Sequence, residues 1–501
     1  MILCNLCRKP QIIKNKYAST LIGTILVYLT VAYILPIGNF SVYITSNIHL
    51  HQDFVTMHYG TFFSLILTFI MTFARSLGGV LEAKIGFMAT TLLGLAILLI
   101  TNIFFYNVHN IWVCYIEIII LGLGAGIAVS LLAKNLTLYN PKKKGRISGI
   151  IGIVTIVFSA VFAFGGEKVI NKEGQAVNKE QVYEKDIAER IELYYTIGFF
   201  AVPIGGLLSY LFLYEYKKED DPTQYISDKF NELSIIDSNS KTKDDENDDE
   251  DDKMNQKTDD EKQKNTAESN FEKEVENIRQ KKHIKQVVKT GRFWRIAFSS
   301  LLLNFPVMFL VNTGRIFGAI IGIDGIILQL LAVFNALGMI IFGPIVGYII
   351  DKKNSLFLLR IVTLICVIPG ILLLLFLENT FFFTLSTILN LFGLIGNTVG
   401  TTPLIMEIYG IQESVILGGF VLTFSKVSEI VTTTTAFLVS FIYPGNSIRI
   451  PYKIMYVLSS LSSYISFYLL MIEEVDKHIY DDSDVDLDQI EMSRESILSN
   501  L

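Results

Sequence analysis

The sequence predicts an all-α integral membrane protein with twelve transmembrane helices arranged as two six-helix bundles. Hydrophobic residues make up 51% of the 501 residues and charged residues only 18%, whereas an average soluble protein is about 25% charged. About two fifths of the charges lie between residues 215 and 295, so the rest of the chain is more apolar still. A soluble globule cannot bury that much apolar surface.

The spans follow from the length of a bilayer-crossing helix, which is about 20 apolar residues. Six apolar segments precede the polar segment and six follow it. In chain order, the first to the twelfth span are predicted at residues 18–43, 60–81, 88–106, 111–132, 147–164, 193–214, 296–319, 326–350, 356–377, 381–402, 415–443 and 452–472.

This division gives five regions: a cytosolic N-terminus (1–17), a first bundle (18–214), a linker (215–292), a second bundle (293–472) and an acidic tail (473–501). The linker combines low hydrophobicity with dense charge, which predicts disorder. Its basic end favours anionic lipid at the inner leaflet.

Lysine and arginine in the short loops set the orientation. The outer turns at 45–56, 107–110 and 322–325 contain neither residue, whereas the opposite loops are basic. Both termini and the linker are therefore predicted to face the cytosol. The plasma membrane is the expected location, and an organelle or vesicle membrane is the alternative.

A short motif recurs after the second and eighth spans. The first copy reads GGVLEAKIG from Gly78, and the second reads GYIIDKKN from Gly347. Each places a glycine near a helix end, then an acid and a base. The motif resembles the loop motif of the major facilitator superfamily, G-x-L-A-D-R-x-G-R-K, although the acid of the first copy stands one place early.

The resemblance implies a gate between two rocking bundles. The residues it implicates, together with Arg75 near the inner end of the second span, are Gly79, Glu82, Lys84, Gly347, Asp351 and Lys352. For Arg75, a gate role or pairing with Glu82 is preferred to substrate contact.

The fourth span carries GLGAG from Gly122, and its exit reads YNPKKKGRISG from Tyr139. This pattern is similar to the oxalate–formate antiporter and monocarboxylate porter group. The glycines at 122 and 126, and at 145 and 149, form faces on which helices approach closely. Static packing and rocking between bundles are both compatible with these faces.

An ionisable group inside the bilayer is costly, so each one indicates a function. Lys426 lies near the middle of the eleventh span, and Glu429 follows on the same helix face. The antiporter resemblance implies a lysine there that attracts a carboxylate. A self-neutralised structural pair is the alternative.

Other candidates complete the predicted substrate site. Arg315 in the seventh span suits carboxylate recognition but is equally placed to reach the outer headgroups. The eighth span offers Asn335 where the antiporters have an arginine, and the first span contributes Asn39 and Tyr43. Glu117 and Glu429 are the predicted proton-coupling residues.

No cofactor or metal site is predicted. Cys4 and Cys7 form a lone C-x-x-C without a second pair or a nearby histidine, the six histidines show no ligand spacing, and no phosphate-binding loop is present. The predicted partners are a small organic anion and the lipid bilayer, without nucleic acid, and the chain is expected to be a monomer.

The sequence therefore predicts a secondary transporter, not an enzyme, that moves a monocarboxylate-like anion by proton symport or exchange. Pantothenate, amino acids and drug-like metabolites are alternative substrates. The alternative of another class is a non-transporting receptor or scaffold that signals through the linker.

Overall fold

The computed structural model describes residues 15–55, 57–60, 62–105, 108–172, 182–216, 283–320, 325–376, 379–442 and 449–473. Every regular element among them is helical. In the first half the helices are Lys16–Ala32, Ile37–His49, Met57–Gly60, Phe63–Ile85, Phe87–Phe105, Ile111–Val129, Leu132–Tyr139, Lys144–Ile170, Lys185–Glu189 and Ile191–Phe212, with a 3-10 turn at Pro141–Lys143.

In the second half the helices are Gly291–Ile320, Gly325–Lys352, Ser355–Ile365, Val367–Leu375, Thr380–Tyr409, Ser414–Ile442 and Arg449–Met471. Within the described residues, eleven helical segments are long and apolar enough to cross a bilayer. The remaining predicted span, the eighth, corresponds to the 28-residue helix Gly325–Lys352. The predicted all-helical membrane fold is confirmed.

Helix ends are fixed by polar caps at the predicted membrane boundaries. The side chain of Asn110 accepts from the backbone N–H of Trp112 at 2.9 Å, and that of Asn354 accepts from Phe357 at 2.7 Å. Such caps satisfy N–H groups that a helix leaves free in its first turn. The second span ends at Gly86, whose φ of 82° is readily adopted only by glycine.

Several spans differ from their predicted form. The first span consists of two helices because the chain turns at residues 33–36, where Pro36 supplies no backbone N–H. The fifth span is longer than predicted, Lys144–Ile170, because intrahelical hydrogen bonding does not stop where apolar side chains do. The ninth span is interrupted at Cys366.

Both bundles belong to one compact unit. Among the described residues, three pairs of spans connect them: the second span packs on the eleventh, and the fifth packs on both the eighth and the tenth. These contacts position the candidate site, because they decide which helix faces meet between the bundles.

Candidate functional site: the inter-bundle face

The eleventh span places Lys426 and Glu429 in its central part. Lys426 is the thirteenth residue of the 29-residue helix Ser414–Ile442. Its Nζ donates to Oε2 of Glu429 at 2.7 Å, and the two side chains are 21% and 8% exposed. The pair predicted from the i, i+3 spacing is therefore formed, with the lysine as its more accessible member.

The same helix shows which way Lys426 points. A Cβ at Gly419 would lie 2.4 Å from Oγ of Ser76 on the second span, so Gly419 is pressed against the first bundle. Lys426 follows seven residues later, about two helical turns along the same face. The ammonium group therefore extends from the surface of the second bundle that faces the first, about 10 Å from the contact at Gly419.

A buried hydrogen-bond network holds this helix at the residue next to Lys426. Nδ2 of Asn304 in the seventh span donates to the backbone oxygen of Ser425 at 3.2 Å. Oδ1 of Asn304 accepts from Nδ2 of Asn397 in the tenth span at 3.3 Å, and Oδ1 of Asn397 accepts from Ser300 at 3.1 Å. The network fixes the backbone turn that carries both Lys426 and Glu429, and the sequence analysis did not identify it.

The inner end of the molecule, predicted to face the cytosol, is sealed by glycine contacts between the fifth and eighth spans. A Cβ at Gly347 would lie 2.6 Å from the backbone oxygen of Gly145, and one at Gly149 would lie 2.8 Å from that of Gly343. Any side chain here would separate the backbones. These glycines therefore permit the two bundles to touch.

The fourth-span glycines have another role. A Cβ at Gly122 would lie 3.0 Å from the backbone oxygen of Leu67, and one at Gly126 would lie 2.2 Å from that of Met71. Both contacts are with the second span of the same bundle. Static packing therefore explains Gly122 and Gly126, whereas Gly145 and Gly149 lie at the inter-bundle contact.

Two acids of the second bundle bind the start of the fifth span through hydrogen bonds and an ion pair. The carboxylate of Asp351 accepts from the backbone N–H of Gly145 at 2.7 Å and of Arg146 at 3.2 Å. Glu407 forms an ion pair with Lys144 at 3.1 Å and accepts from the backbone N–H of Ser355 at 3.0 Å. Acids are favourable at a helix N-terminus because of its partial positive charge.

The quoted motifs include Lys144 but not Glu407, and they did not predict this ion pair. The available signal was an acid at the inner end of the tenth span, an unusual place for a charge in an apolar segment. The predicted gate position of Asp351 coincides with an inter-bundle contact, and Lys352 is exposed, with Nζ 5.7 Å from the Tyr348 ring.

The first motif copy behaves differently from the second. Glu82 forms an ion pair with Lys134 of the same bundle at 2.8 Å, and Lys84 is exposed. The expected pairing of Arg75 with Glu82 is wrong, because Lys134 occupies that carboxylate. Gly79 does reach the other bundle, where its Cβ would lie 2.7 Å from Ile416. Glu82, which stands one place earlier than the acid of the family motif, thus pairs within its own bundle, whereas Asp351 contacts the other bundle.

The outer half of the first bundle contains three further predicted residues. Asn39 is exposed. Tyr43 is 4% exposed and stacks on Tyr183 of the loop after the fifth span, with ring centroids 4.5 Å apart. Glu117 is 8% exposed, and its Oε2 has no hydrogen-bond partner among the described residues. The side chains of Arg315 and Asn335 lie outside the described residues.

Comparisons with known proteins agree with this arrangement. A sequence model of the Major Facilitator Superfamily matches residues 187–433, from the start of the sixth span into the eleventh. A search of curated proteins finds no significant match.

Solved structures with a similar fold include the human organic anion transporter MFSD10 (TETRAN), at 12% identity and a TM-score of 0.57 over 91% of this chain and 98% of that one. The proton:xylose symporter XylE, bound to 6-bromo-6-deoxy-D-glucose, has 13% identity and a TM-score of 0.55 over 90% and 94%. The transporter FucP, in the outward conformation, has 11% identity and a TM-score of 0.57 over 91% and 99%.

At these identities the likeness establishes the fold alone. The chain is a multi-pass membrane protein with the major facilitator fold, twelve transmembrane helices in two six-helix bundles. The family match, which covers slightly less than half of the chain, and the fold agree with the predicted transporter class.

Proposed function

We propose that this protein is a secondary transporter that moves a small, monocarboxylate-like organic anion by alternating access. The observation that carries the proposal is Lys426, a cation in the central part of the eleventh span on the face directed at the other bundle. A charge there is costly in hydrocarbon and is typical of a substrate pathway.

The Lys426–Glu429 pair supports a mechanism for coupling. Glu429 neutralises the lysine at 2.7 Å. An incoming carboxylate competes with Glu429 for the ammonium group, and protonation of Glu429 releases that group for the substrate. The cycle is proton symport if the proton crosses with the substrate and the carrier returns empty, and it is anion exchange if a second anion is carried on the return.

The inner contacts support the alternating-access step. Gly145, Gly347 and Asp351 hold the inner ends of the bundles together. Opening to the cytosol requires that these contacts break and that a seal form near the outer ends. The proposed membrane is the plasma membrane, with both termini in the cytosol. The resemblance of the fourth-span exit to the oxalate–formate and monocarboxylate group supports the anion as substrate.

A second candidate substrate is a zwitterion such as an amino acid. The same ion pair favours it, because Lys426 and Glu429 offer one charge of each sign within 2.7 Å. An amino acid has a carboxylate and an ammonium group that match both members of the pair.

The test is an uptake screen in proteoliposomes that contain the full chain. Labelled lactate, pyruvate, pantothenate and alanine are compared for wild type and for Lys426→Ala. Truncating one member of a hydrogen-bonded charge pair typically costs 2–5 kcal/mol, so uptake of the transported solute is expected to fall by about 30-fold or more.

Lys185→Ala is the matched control, since Lys185 forms an exposed ion pair with Glu189 on the outer surface at 3.7 Å. It is expected to keep wild-type uptake. Transport of a carboxylate that survives Lys426→Ala unchanged would contradict the proposed role of Lys426, and uptake of alanine alone would select the zwitterion.

A further inference from the structure

Arg75 lies in the membrane-spanning part of the second span, and no ion pair to it is found among the described residues. It is the thirteenth residue of the 23-residue helix Phe63–Ile85. The side chain is half-buried, and its Nε is buried without a hydrogen-bond partner among the described residues. Two acids that the sequence predicts for the gate and the substrate site already form other ion pairs, Glu82 with Lys134 and Glu429 with Lys426.

The height of Arg75 follows from the contact between the second and eleventh spans. Gly79 meets Val415 and Ile416, and Ser76 meets Gly419, so the two helices run antiparallel. Arg75 is one residue outward of Ser76, whose Oγ donates to the backbone oxygen of Ile416 at 3.2 Å. The guanidinium group is therefore attached immediately outside the inner seal.

The position of Arg75 around the axis of the second span also directs it toward the eleventh span. Arg75 and Gly79 are four residues apart, hence on adjacent turns of one face. The guanidinium group is also within electrostatic range of Tyr28 in the first span. Arg75 thus lies between the first span and the eleventh, on the side of the first bundle that meets the second.

The charges in the central part of these two spans do not cancel. Arg75 and Lys426 contribute two positive charges and Glu429 one negative charge, which leaves one positive charge. A charge of this kind costs about 2.5–3.5 kcal/mol or more in hydrocarbon. A single carboxylate would balance it, and a guanidinium group binds a carboxylate through two parallel hydrogen bonds.

We infer that Arg75 is a substrate-binding residue that receives the carboxylate of a monoanion at the inner end of the inter-bundle space, directly above the seal. This inference rests on the proposed function and assigns the fixed anion-binding charge to the first bundle. Lys426, which Glu429 already neutralises, is then the exchangeable cation. This inference assigns substrate contact to Arg75 in place of the predicted gate role.

The test uses the arginine reagent phenylglyoxal on the purified full chain, with the extent of modification of each arginine read by mass spectrometry. Acetate, lactate and pantothenate are the probes, and their uncharged amides and sodium chloride are the comparisons. We expect Arg75 to be modified in the absence of carboxylate. At least one carboxylate should slow that modification by about tenfold at ten times its half-protecting concentration.

Arg190, exposed on the outer loop, is the internal control and should be modified at the same rate in every condition. The inference is overturned if Arg75 remains unmodified, if no carboxylate protects it, or if the amides or chloride protect it equally.

A second variant separates binding from structure. Arg75→Met removes the charge and retains an unbranched side chain. Because an unpaired buried charge destabilises the fold, we expect unchanged or higher thermal stability together with a lost dependence of that stability on the protecting carboxylate. A lower stability with the ligand dependence intact would assign a structural role and overturn the inference.

The outcomes distinguish this inference from the proposed function. Loss of uptake in Lys426→Ala with an unprotected Arg75 would remove the role of Arg75 and leave the transporter proposal in place. Protection of Arg75 with unchanged uptake in Lys426→Ala would support the role of Arg75 and contradict the proposed role of Lys426.

Discussion

At the scale of single residues, Glu117 is a buried acid in the fourth span. Its side chain is 8% exposed, and its Oε2 lacks a hydrogen-bond partner among the described residues. The titratable groups in electrostatic range are Cys114 on its own span and Tyr195 on the sixth. An unpaired carboxylate in such surroundings is strongly disfavoured, so the neutral acid is the stable form.

This predicts that Glu117 carries a proton in one conformation and releases it when water reaches it in another. Glu117→Gln mimics the neutral form, so exchange of substrate across the membrane should continue, while accumulation driven by a proton gradient should be lost. The measurement compares exchange with gradient-driven uptake in the same proteoliposomes. Glu189→Gln on the exposed outer helix is the control, and gradient-driven uptake by Glu117→Gln at the wild-type rate would contradict the role.

At the scale of elements, the contact between the fifth and eighth spans is the part most sensitive to a single methyl group. Gly347→Ala places a Cβ 2.6 Å from the backbone oxygen of Gly145. Overpacking of this kind typically costs 1–3 kcal/mol, which is roughly a fivefold to hundredfold shift in a two-state population. The closed inner end should therefore lose population.

The distance between spin labels at Lys142→Cys and Lys353→Cys, two exposed inner-end positions, measures this shift in a chain whose four native cysteines are replaced. Gly347→Ala should add a longer distance that wild type lacks. Gly122→Ala, which meets the Leu67 backbone oxygen at 3.0 Å within one bundle, should lower stability without a new distance. Identical distances for Gly347→Ala and wild type would contradict the seal.

Sequence reasoning found the spans because apolar length is a local property, and it found the Lys426–Glu429 pair because residues three apart share a helix face. It could not predict the ion pair between Glu407 and Lys144, since the two residues are on different bundles and no spacing rule connects them. The same limit explains why Arg75, and not Lys134, was predicted as the partner of Glu82. The choice between Arg75 and Lys134 depends on how the second and fourth spans pack.

Tertiary packing also changed the meaning of the glycines. The fourth-span and fifth-span glycines show the same four-residue spacing, yet Gly122 and Gly126 face a neighbour in their own bundle and Gly145 and Gly149 face the other bundle. Spacing alone predicts a close approach and not its partner. The fold was therefore predictable from the sequence. Which glycine contacts lie within a bundle and which lie between the bundles was not.

For the whole molecule, two features support the proposed carrier. The bundles meet at the inner end through glycine contacts and through Asp351 and Glu407, and Arg75, for which no ion pair is found among the described residues, lies just outward of those contacts. A receptor or scaffold that signals through the linker has no need of either feature. A carrier needs both, since a bound solute must face one side of the membrane at a time.

Counterflow tests this claim most directly. Proteoliposomes are loaded with a high concentration of the unlabelled carboxylate identified by the uptake screen and are diluted into a trace of the labelled one. Alternating access predicts transient accumulation of label above its equilibrium level in wild type, and its loss in Lys426→Ala. Label that never exceeds equilibrium in wild type, with every carboxylate and amino acid of the screen, would contradict the account.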